Sequence, residues 1–381
     1  MPSYADGTTF GDRYSLTLRA NWPVTSALAY AYAALKQPFL SEDSGRTATA
    51  NTVLRTRGHM WLVCASAPVL TACGGSQSAL APAGLEAAWV AQLFWVMLIG
   101  AGLIWTLVIG FAIYVTRLNP QAHSENAASR LIVWGGVVFP VAVLGALLIY
   151  GLALMPSLRA PGDGLRIEVS GEQWWWRVKY FPIQSDAPVI SANEIRLPAG
   201  QRIELVLTSP DVIHSFWVPS LAGKVDMIPG RTNRIVLEPT ETGVYRGQCA
   251  EYCGTSHALM AFSVVVMPHD EFTQWLEQEA RPAATPRAPR IQKGRNLFLA
   301  TGCGACHTVR GTRASGVIGP DLTHVSGRET IGAGTLANNT ESIARFIAGT
   351  QRLKPGVRMP SFGMLPDKDI DAIANYLESL E

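Results

Sequence analysis

Residues 247–260 read GQCAEYCGTSHALM, which gathers Cys249, Cys253, His257 and Met260 on one short stretch. Thiolate, imidazole and thioether together are the donor set of copper in electron-transfer sites, whereas zinc takes Cys and His but not methionine. A mononuclear copper site of this kind needs one cysteine. Two cysteines four apart, with His and Met beside them, point to two copper ions bridged by both sulfurs. A second histidine must then come from elsewhere, and His214 in SPDVIHSFWVPSL is the candidate among the seven histidines of the chain. Further along, GCGACHT places Cys303, Cys306 and His307 in a Cys-x-x-Cys-His motif, the attachment pattern of c-type haem. The two thiols add to the haem vinyl groups and the histidine ligates the iron. The other reading, a redox Cys-x-x-Cys or half of a zinc site, lacks a second Cys pair and a thioredoxin-like pattern around it. A downstream methionine is expected as the other axial ligand, which raises the potential. Met359 in GVRMPSF is at a suitable distance along the chain, with Met364 as its competitor. Any one of these residues alone has a plainer reading, since a lone methionine is more often core filler and a lone histidine more often packs or faces solvent. The clustering on short stretches is what lifts them.

Two uncharged stretches, 88–116 and 131–155, must hold these clusters at a membrane. About 20 apolar residues suffice for a helix to cross a bilayer, and a buried core helix fits poorly at these lengths. Only 16% of the 381 residues are charged, and 48% are hydrophobic, which suits a membrane protein with soluble parts. The formal net charge of +2 gives no reason to expect nucleic acid. Arg117 and Arg130 flank the connection between the spans, so the positive-inside rule places that connection in the cytoplasm and everything after residue 156 outside. Upstream, RTRGHMWLVCASAPVLTACGG has a basic start, a short apolar run and Leu-Thr-Ala-Cys. Its three-part pattern predicts a secretory signal over 53–72, and the Leu-x-Ala-Cys ending resembles a bacterial lipoprotein signal, whose lipidated residue would be Cys73. The alternatives are an ordinary signal or a third membrane segment, for which the apolar run is too short. Residues 1–52 carry no period and no motif and read as a misassigned start or an extension. With Cys64 as filler in the signal and the remaining cysteines otherwise occupied, no structural disulfide is expected.

After the second span, LRIEVSG, WWWRVKYF, NEIRLPAG, QRIELVLTS, RIVLEPT and MAFSVVVMP alternate apolar and polar residues between turn signals. Short strands at regular spacing predict an all-β sandwich over 160–270. Neighbours on a strand face opposite ways, so at least one of Trp175 and Trp176 is expected to do no more than pack. HDEFTQWLEQEA then reads as a short helix and RPAATPRAP as a semi-extended linker, together 271–290. Residues 291–381 form a last domain with helices at its two ends. Residues 165–280 hold nine Lys and Arg against fourteen Asp and Glu, and residues 291–381 ten against eight. Opposite charge on tethered partners predicts a transient, charge-steered encounter between the two domains.

CAEYCGTSHALM, with DVIHSFWVP and KVDMIPGR upstream and GEQWWWRVKY before them, resembles cytochrome c oxidase subunit II over residues 85–270. The resemblance implies a multidomain fold: a two-helix transmembrane hairpin (85–157), a cupredoxin-like sandwich, and then a C-terminal domain that resembles an all-α class I cytochrome c. It implies a dinuclear CuA centre held by bridging Cys249 and Cys253, terminal His214 and His257, the Met260 thioether and the Glu251 carbonyl. It also implies magnesium or manganese at the Glu251 side chain, shared with subunit I, and Trp174 as the point where electrons arrive. For the last domain it implies haem c on Cys303, Cys306, His307 and Met359, with Pro320 packed by the proximal histidine. His324 is a further candidate ligand by residue type, but reads as a surface histidine. The expected partners are oxidase subunit I, other oxidase subunits, external cytochrome c and membrane lipid, in a bacterial inner membrane with both redox domains on the outer side. Oxygen reduction and proton pumping would belong to subunit I, with no catalytic residue in this chain. The family often carries a glutamate just before the second span; here the nearest acid is Glu125, upstream of SRLIVW. The alternatives are a quinol oxidase subunit, which lacks the copper ligands, a nitrous oxide reductase, which needs a histidine-rich propeller, and a copper delivery or assembly protein with an accessory haem domain.

Overall fold

The computed structural model of the chain describes residues 74–120, 124–158, 162, 164–182 and 187–381. The expected signal at 53–72, Cys73 and the stretch 1–52 lie outside the described residues.

Both apolar stretches are helical. The first runs Leu85–Ile113 and continues through a π-helical turn, Tyr114–Leu118. The second runs Glu125–Val133, a π-helical turn at Trp134–Val138, and Phe139–Leu158. Leu107 and Ile149 are each 71% exposed, as expected of helices that are apolar all round and face lipid. The second helix starts earlier than expected because Ser124 caps it, its hydroxyl accepting from the Ala127 amide at 3.3 Å. Glu125 therefore sits in the first turn of that helix, where the helix dipole favours an acid, and not on a connection upstream of it. The chain entering the first span is tied to the domain beyond the hairpin. Ala83 N donates to Ser220 O at 2.7 Å and Leu85 N to Glu238 O at 3.0 Å.

Ten strands build the sandwich: β1 (Arg166–Glu172), β2 (Trp175–Phe181), β3 (Val189–Ala192), β4 (Glu194–Pro198), β5 (Ile203–Thr208), β6 (His214–Trp217), β7 (Val225–Met227), β8 (Asn233–Leu237), β9 (Gly243–Cys249) and β10 (Ala261–Met267). One sheet has the order β3-β2-β1-β5-β8 and the other β4-β10-β9-β6-β7. The β1–β5 and β4–β10 pairs are parallel and the rest antiparallel. The period of two decides which side chains go inside: Ile167 and Val169 of β1, and Trp176, Val178 and Tyr180 of β2, are buried. Trp175 stays half-buried with the Arg177 guanidinium over its ring. Between the sheets Phe216 stacks on Phe262 at 4.9 Å, and Trp176 meets Phe262 at 4.8 Å.

A helix, His269–Glu279, leads to the C-terminal domain, which packs helices Pro289–Ala300, Thr340–Leu353 and Asp367–Glu378 around Phe298, Ile343, Ile347, Ile373 and Tyr376. The linker is not a free tether: Ala283 N donates to Arg310 O at 3.0 Å. His324 is not a surface residue. It is buried, with Nε2 3.0 Å from Arg281 O and Nδ1 2.5 Å from Glu381 O, because the linker and the chain terminus close over it.

The two domains meet in a packed contact rather than a loose, charge-steered one. Ala261 N donates to Ala333 O at 2.9 Å, Glu329 N to Glu194 Oε2 at 2.7 Å, and Arg177 Nη2 to Val317 O at 2.8 Å. Ala333, a residue of the C-terminal domain, belongs to the buried cluster of the sandwich. A main-chain bond, the Arg177 and Glu194 side chains and buried Ala333 carry this contact, so it is made by particular facing groups and not by the net charge of the two domains.

Candidate metal centres

The first cluster assembles at one end of the sandwich. Cys249 ends β9, His214 begins β6, and Cys253, His257 and Met260 follow on the loop into β10. This loop closes on itself, because Cys249 N donates to Met260 O at 2.9 Å. The two sulfurs stand 3.8 Å apart and are not bonded to each other. His214 Nδ1 is 3.8 Å from Cys249 Sγ, and His257 Nδ1 is 3.5 Å from Cys253 Sγ. Met260 Sδ is 3.8 Å from Cys253 Sγ, and the Glu251 carbonyl oxygen is 3.2 Å from Cys249 Sγ. One ligand atom from each of His214, Cys249 and Cys253 falls within a 4.8 Å set, all three residues buried. The Glu251 side chain is exposed.

Electrostatics at the pair favour a cation. The contact with Cys253, helped by His214 against the cost of burial, pulls the Cys249 thiol down to about 3, and the same contact pushes Cys253 up. One proton shared by two sulfurs is the state that a soft cation displaces. His214 Nε2 is 2.9 Å from Asp211 Oδ1. Burial works against a charged His214, but its bonds to Cys249 and Asp211 outweigh it and hold the ring above the ordinary histidine range. Asp211 also accepts from the Gln173 amide at 2.7 Å. Burial alone would raise its carboxyl; the Gln173 amide, His214 and the Val212 amide hold it below the usual range. A carboxylate on the far nitrogen of a ligating histidine fixes the ring and its tautomer. Asp211, three residues before His214 in SPDVIH, is a candidate site residue that the sequence alone does not single out.

The second cluster lines a cavity of about 560 Å³ between the C-terminal domain and the sandwich, whose Gln173, Trp174 and Asp211 also line it. Cys303, Cys306, His307 and Met359 are on its walls, with Phe298, Ile343 and Ile347 among the apolar ones. Met364 is elsewhere, 76% exposed. His307 Nδ1 is 2.8 Å from the Pro320 carbonyl oxygen. Burial holds the ring below the ordinary histidine range, which favours the neutral form; Nδ1 donates to the carbonyl, so the neutral ring keeps its lone pair on Nε2 for a metal. A Cβ at Gly319 would stand 2.6 Å from His307 Cε1, so this ring position requires glycine there. The apolar cavity and the thiol and imidazole donors on it fit a covalently attached haem, and the paired thiolates with two imidazoles and a thioether fit a copper pair.

Trp174 is in the wall shared by the two sites. It lines the cavity that holds His307, and its Nε1 donates to Cys253 O at 3.0 Å. Gln173 Nε2 donates to the same oxygen at 2.7 Å.

Two family models match the chain: the cytochrome c oxidase subunit II periplasmic domain over residues 184–267, and cytochrome c over residues 291–381. Cytochrome c oxidase subunit 2 of Alkalihalophilus pseudofirmus is 34% identical over 333 residues, spanning 82% of this chain and 94% of the relative. Cytochrome c oxidase subunit 2 of Bacillus subtilis is 32% identical over 233 residues, 58% of this chain and 64% of the relative. Among solved structures, the periplasmic domain of subunit II of the cytochrome oxidase of Bradyrhizobium japonicum is 32% identical and covers 32% of this chain and 95% of its own, with a TM-score of 0.28.

Proposed function

The chain belongs to the cytochrome c oxidase subunit 2 family, and on that premise we propose that it is the electron-receiving subunit of a respiratory oxidase with its own haem c donor fused at the C-terminus. Electrons would arrive at the C-terminal domain, from external cytochrome c among others, and leave for subunit I, where oxygen is reduced. The hairpin would anchor the chain in a bacterial inner membrane, with both redox domains on the outer side and Cys73 as a lipid attachment point.

The observation that carries this reading is the pair of sulfurs at 3.8 Å, each with a histidine nitrogen within 3.8 Å. Bound there and in the cavity, a copper pair and a haem c would each supply a one-electron redox centre. Cys249, Cys253, His214, His257, Met260 and the Glu251 carbonyl would hold the copper, and Cys303, Cys306, His307 and Met359 the haem. Asp211 orients His214, and the Pro320 carbonyl orients His307. The burial of Cys249, Cys253 and Met260 excludes water from the site and keeps reorganisation small. Such burial also disfavours a delivery protein, which has to surrender its copper from an exposed motif. Trp174, bonded to Cys253 O and facing the haem cavity, would bridge the two. The exposed Glu251 carboxylate is free to reach a magnesium or manganese ion at a subunit I interface.

The intact chain, purified in detergent, should contain two coppers and one haem and show the purple mixed-valence spectrum of a copper pair. Cys249→Ser should abolish the delocalised copper signal and leave the haem spectrum in place. Tight uptake of a single zinc with poor copper binding would overturn the reading.

A further inference from the structure

Lys354 ends the helix Thr340–Leu353 of the C-terminal domain and is 2% exposed. A lysine buried this deeply is costly unless its ammonium is satisfied. Its Nζ donates to Leu259 O at 2.7 Å and to Gly332 O at 2.6 Å. The first acceptor belongs to the sandwich, on the short turn His257–Leu259 between two copper-ligand candidates. The second belongs to the C-terminal domain. Burial pushes the Lys354 amine down to about 7.

The residues that follow continue the same strap. Pro355 O accepts from Ser256 Oγ at 2.6 Å. Gly356 has φ +83°, and a Cβ there would stand 3.0 Å from the Trp174 ring. Val357 packs on the sandwich core. Gln351 Nε2 then holds Val357 O at 2.6 Å and Met359 O at 2.9 Å. One run of six residues therefore touches the copper-ligand turn at its start, Trp174 in its middle and the haem cavity at its end.

We propose that Lys354 is a positioning residue: its amino group, bonded to a carbonyl of each domain, fixes the 256–260 ligand turn against the C-terminal domain and so sets the geometry of the copper site. The copper part of this inference rests on the function proposed above; the mechanical part does not. No ligand atom is supplied by Lys354 and no electron passes through it. It acts on the turn that carries His257 and Met260.

The test compares the intact wild-type chain with Lys354→Met, which keeps the apolar stem and removes the donors. Amides of residues 257, 259 and 260 should exchange with solvent faster by about tenfold or more, as the loss of bonds to two buried carbonyls requires. Copper and haem content should be unchanged while the hyperfine pattern of the copper EPR signal changes. Ser256→Ala, which cuts the neighbouring bond to Pro355, should move the same amides by a smaller factor; it decides the matter if Lys354→Met does not fold. Exchange at 256–260 and a copper signal both identical to wild type would overturn the proposal, and so would faster exchange spread evenly over the sandwich. A wild-type chain without a paired-copper signal would sink the function proposed above, and the exchange comparison, which needs no copper, would still decide the strap.

Discussion

At the scale of single residues, the two candidate metal sites follow the same rule, a donor atom turned inward by a bond on its far side. His214 is held by Asp211 and His307 by the Pro320 carbonyl. These orienting partners are what make imidazole a defined ligand rather than a rotating ring. The choice between the two methionines follows from burial, since Met359 lines the cavity and Met364 faces solvent. Met359→Ala should remove the weak sulfur-to-iron band in the far red and lower the haem potential, by the loss of a thioether that favours ferrous iron. Met364→Ala should change neither, and redox titration of both variants with their far-red spectra checks it. The donor residues were readable in the sequence because their types and spacings are local: Cys-x-x-Cys-His, and Cys-x₃-Cys-x₃-His-x₂-Met. Asp211, Ser256 and Lys354 were not, because an aspartate before a strand, a serine on a loop and a lysine after a helix read as surface residues until the fold buries them.

Among the elements, alternation in the sequence found β1, β2, β4, β5, β8 and β10; burial keeps a clear period of two in β1, β2 and β8, whereas β4, β5 and β10 have neighbouring residues buried on both faces. It passed over β3, β6, β7 and β9. The first three are three or four residues long, too short for a period to show. β9 puts Gly243, Tyr245, Gly247 and Cys249 on one face and Val244, Arg246 and Gln248 on the other, and the two glycines keep the inward face from reading as apolar. Yet β6 and β9 are the strands that carry His214 and Cys249. The linker too was readable only as composition. Its docking depends on Arg310, Arg328, His324 and Glu279, far apart in sequence, which meet in one interdomain cluster. Burial, partly offset by Arg328 and His324, holds the Glu279 carboxyl above the usual range. A raised folded value means the folded chain binds the proton more tightly than the unfolded one. The stability this group contributes is therefore full below its ordinary value of 4.5 and is lost as the pH rises through the folded value. Glu279→Gln should remove that part of the slope, so the variant melts at a temperature less dependent on pH than wild type just above 4.5. Identical slopes in calorimetry of the two intact chains would rule this out.

For the whole molecule, the arrangement of domains matters more than any one site. The hairpin was legible from hydropathy, the sandwich from alternation, and the C-terminal domain from its Cys-x-x-Cys-His motif and helical ends, but their contact was not. Domain net charge predicts a loose encounter, because it ignores which atoms face each other. The observed contact consists of main-chain bonds such as Ala261 to Ala333 and a buried lysine, interactions that salt screens little. It places Trp174 between the Cys249–Met260 loop and the cavity lined by His307 and Met359. The most direct test is flash-induced electron transfer from the haem to the copper pair in the intact chain. A docked donor predicts a first-order rate, independent of protein concentration and nearly independent of salt, that falls sharply in Trp174→Ala with copper still bound. A rate that rises with protein concentration, or one that Trp174→Ala leaves unchanged, would contradict it.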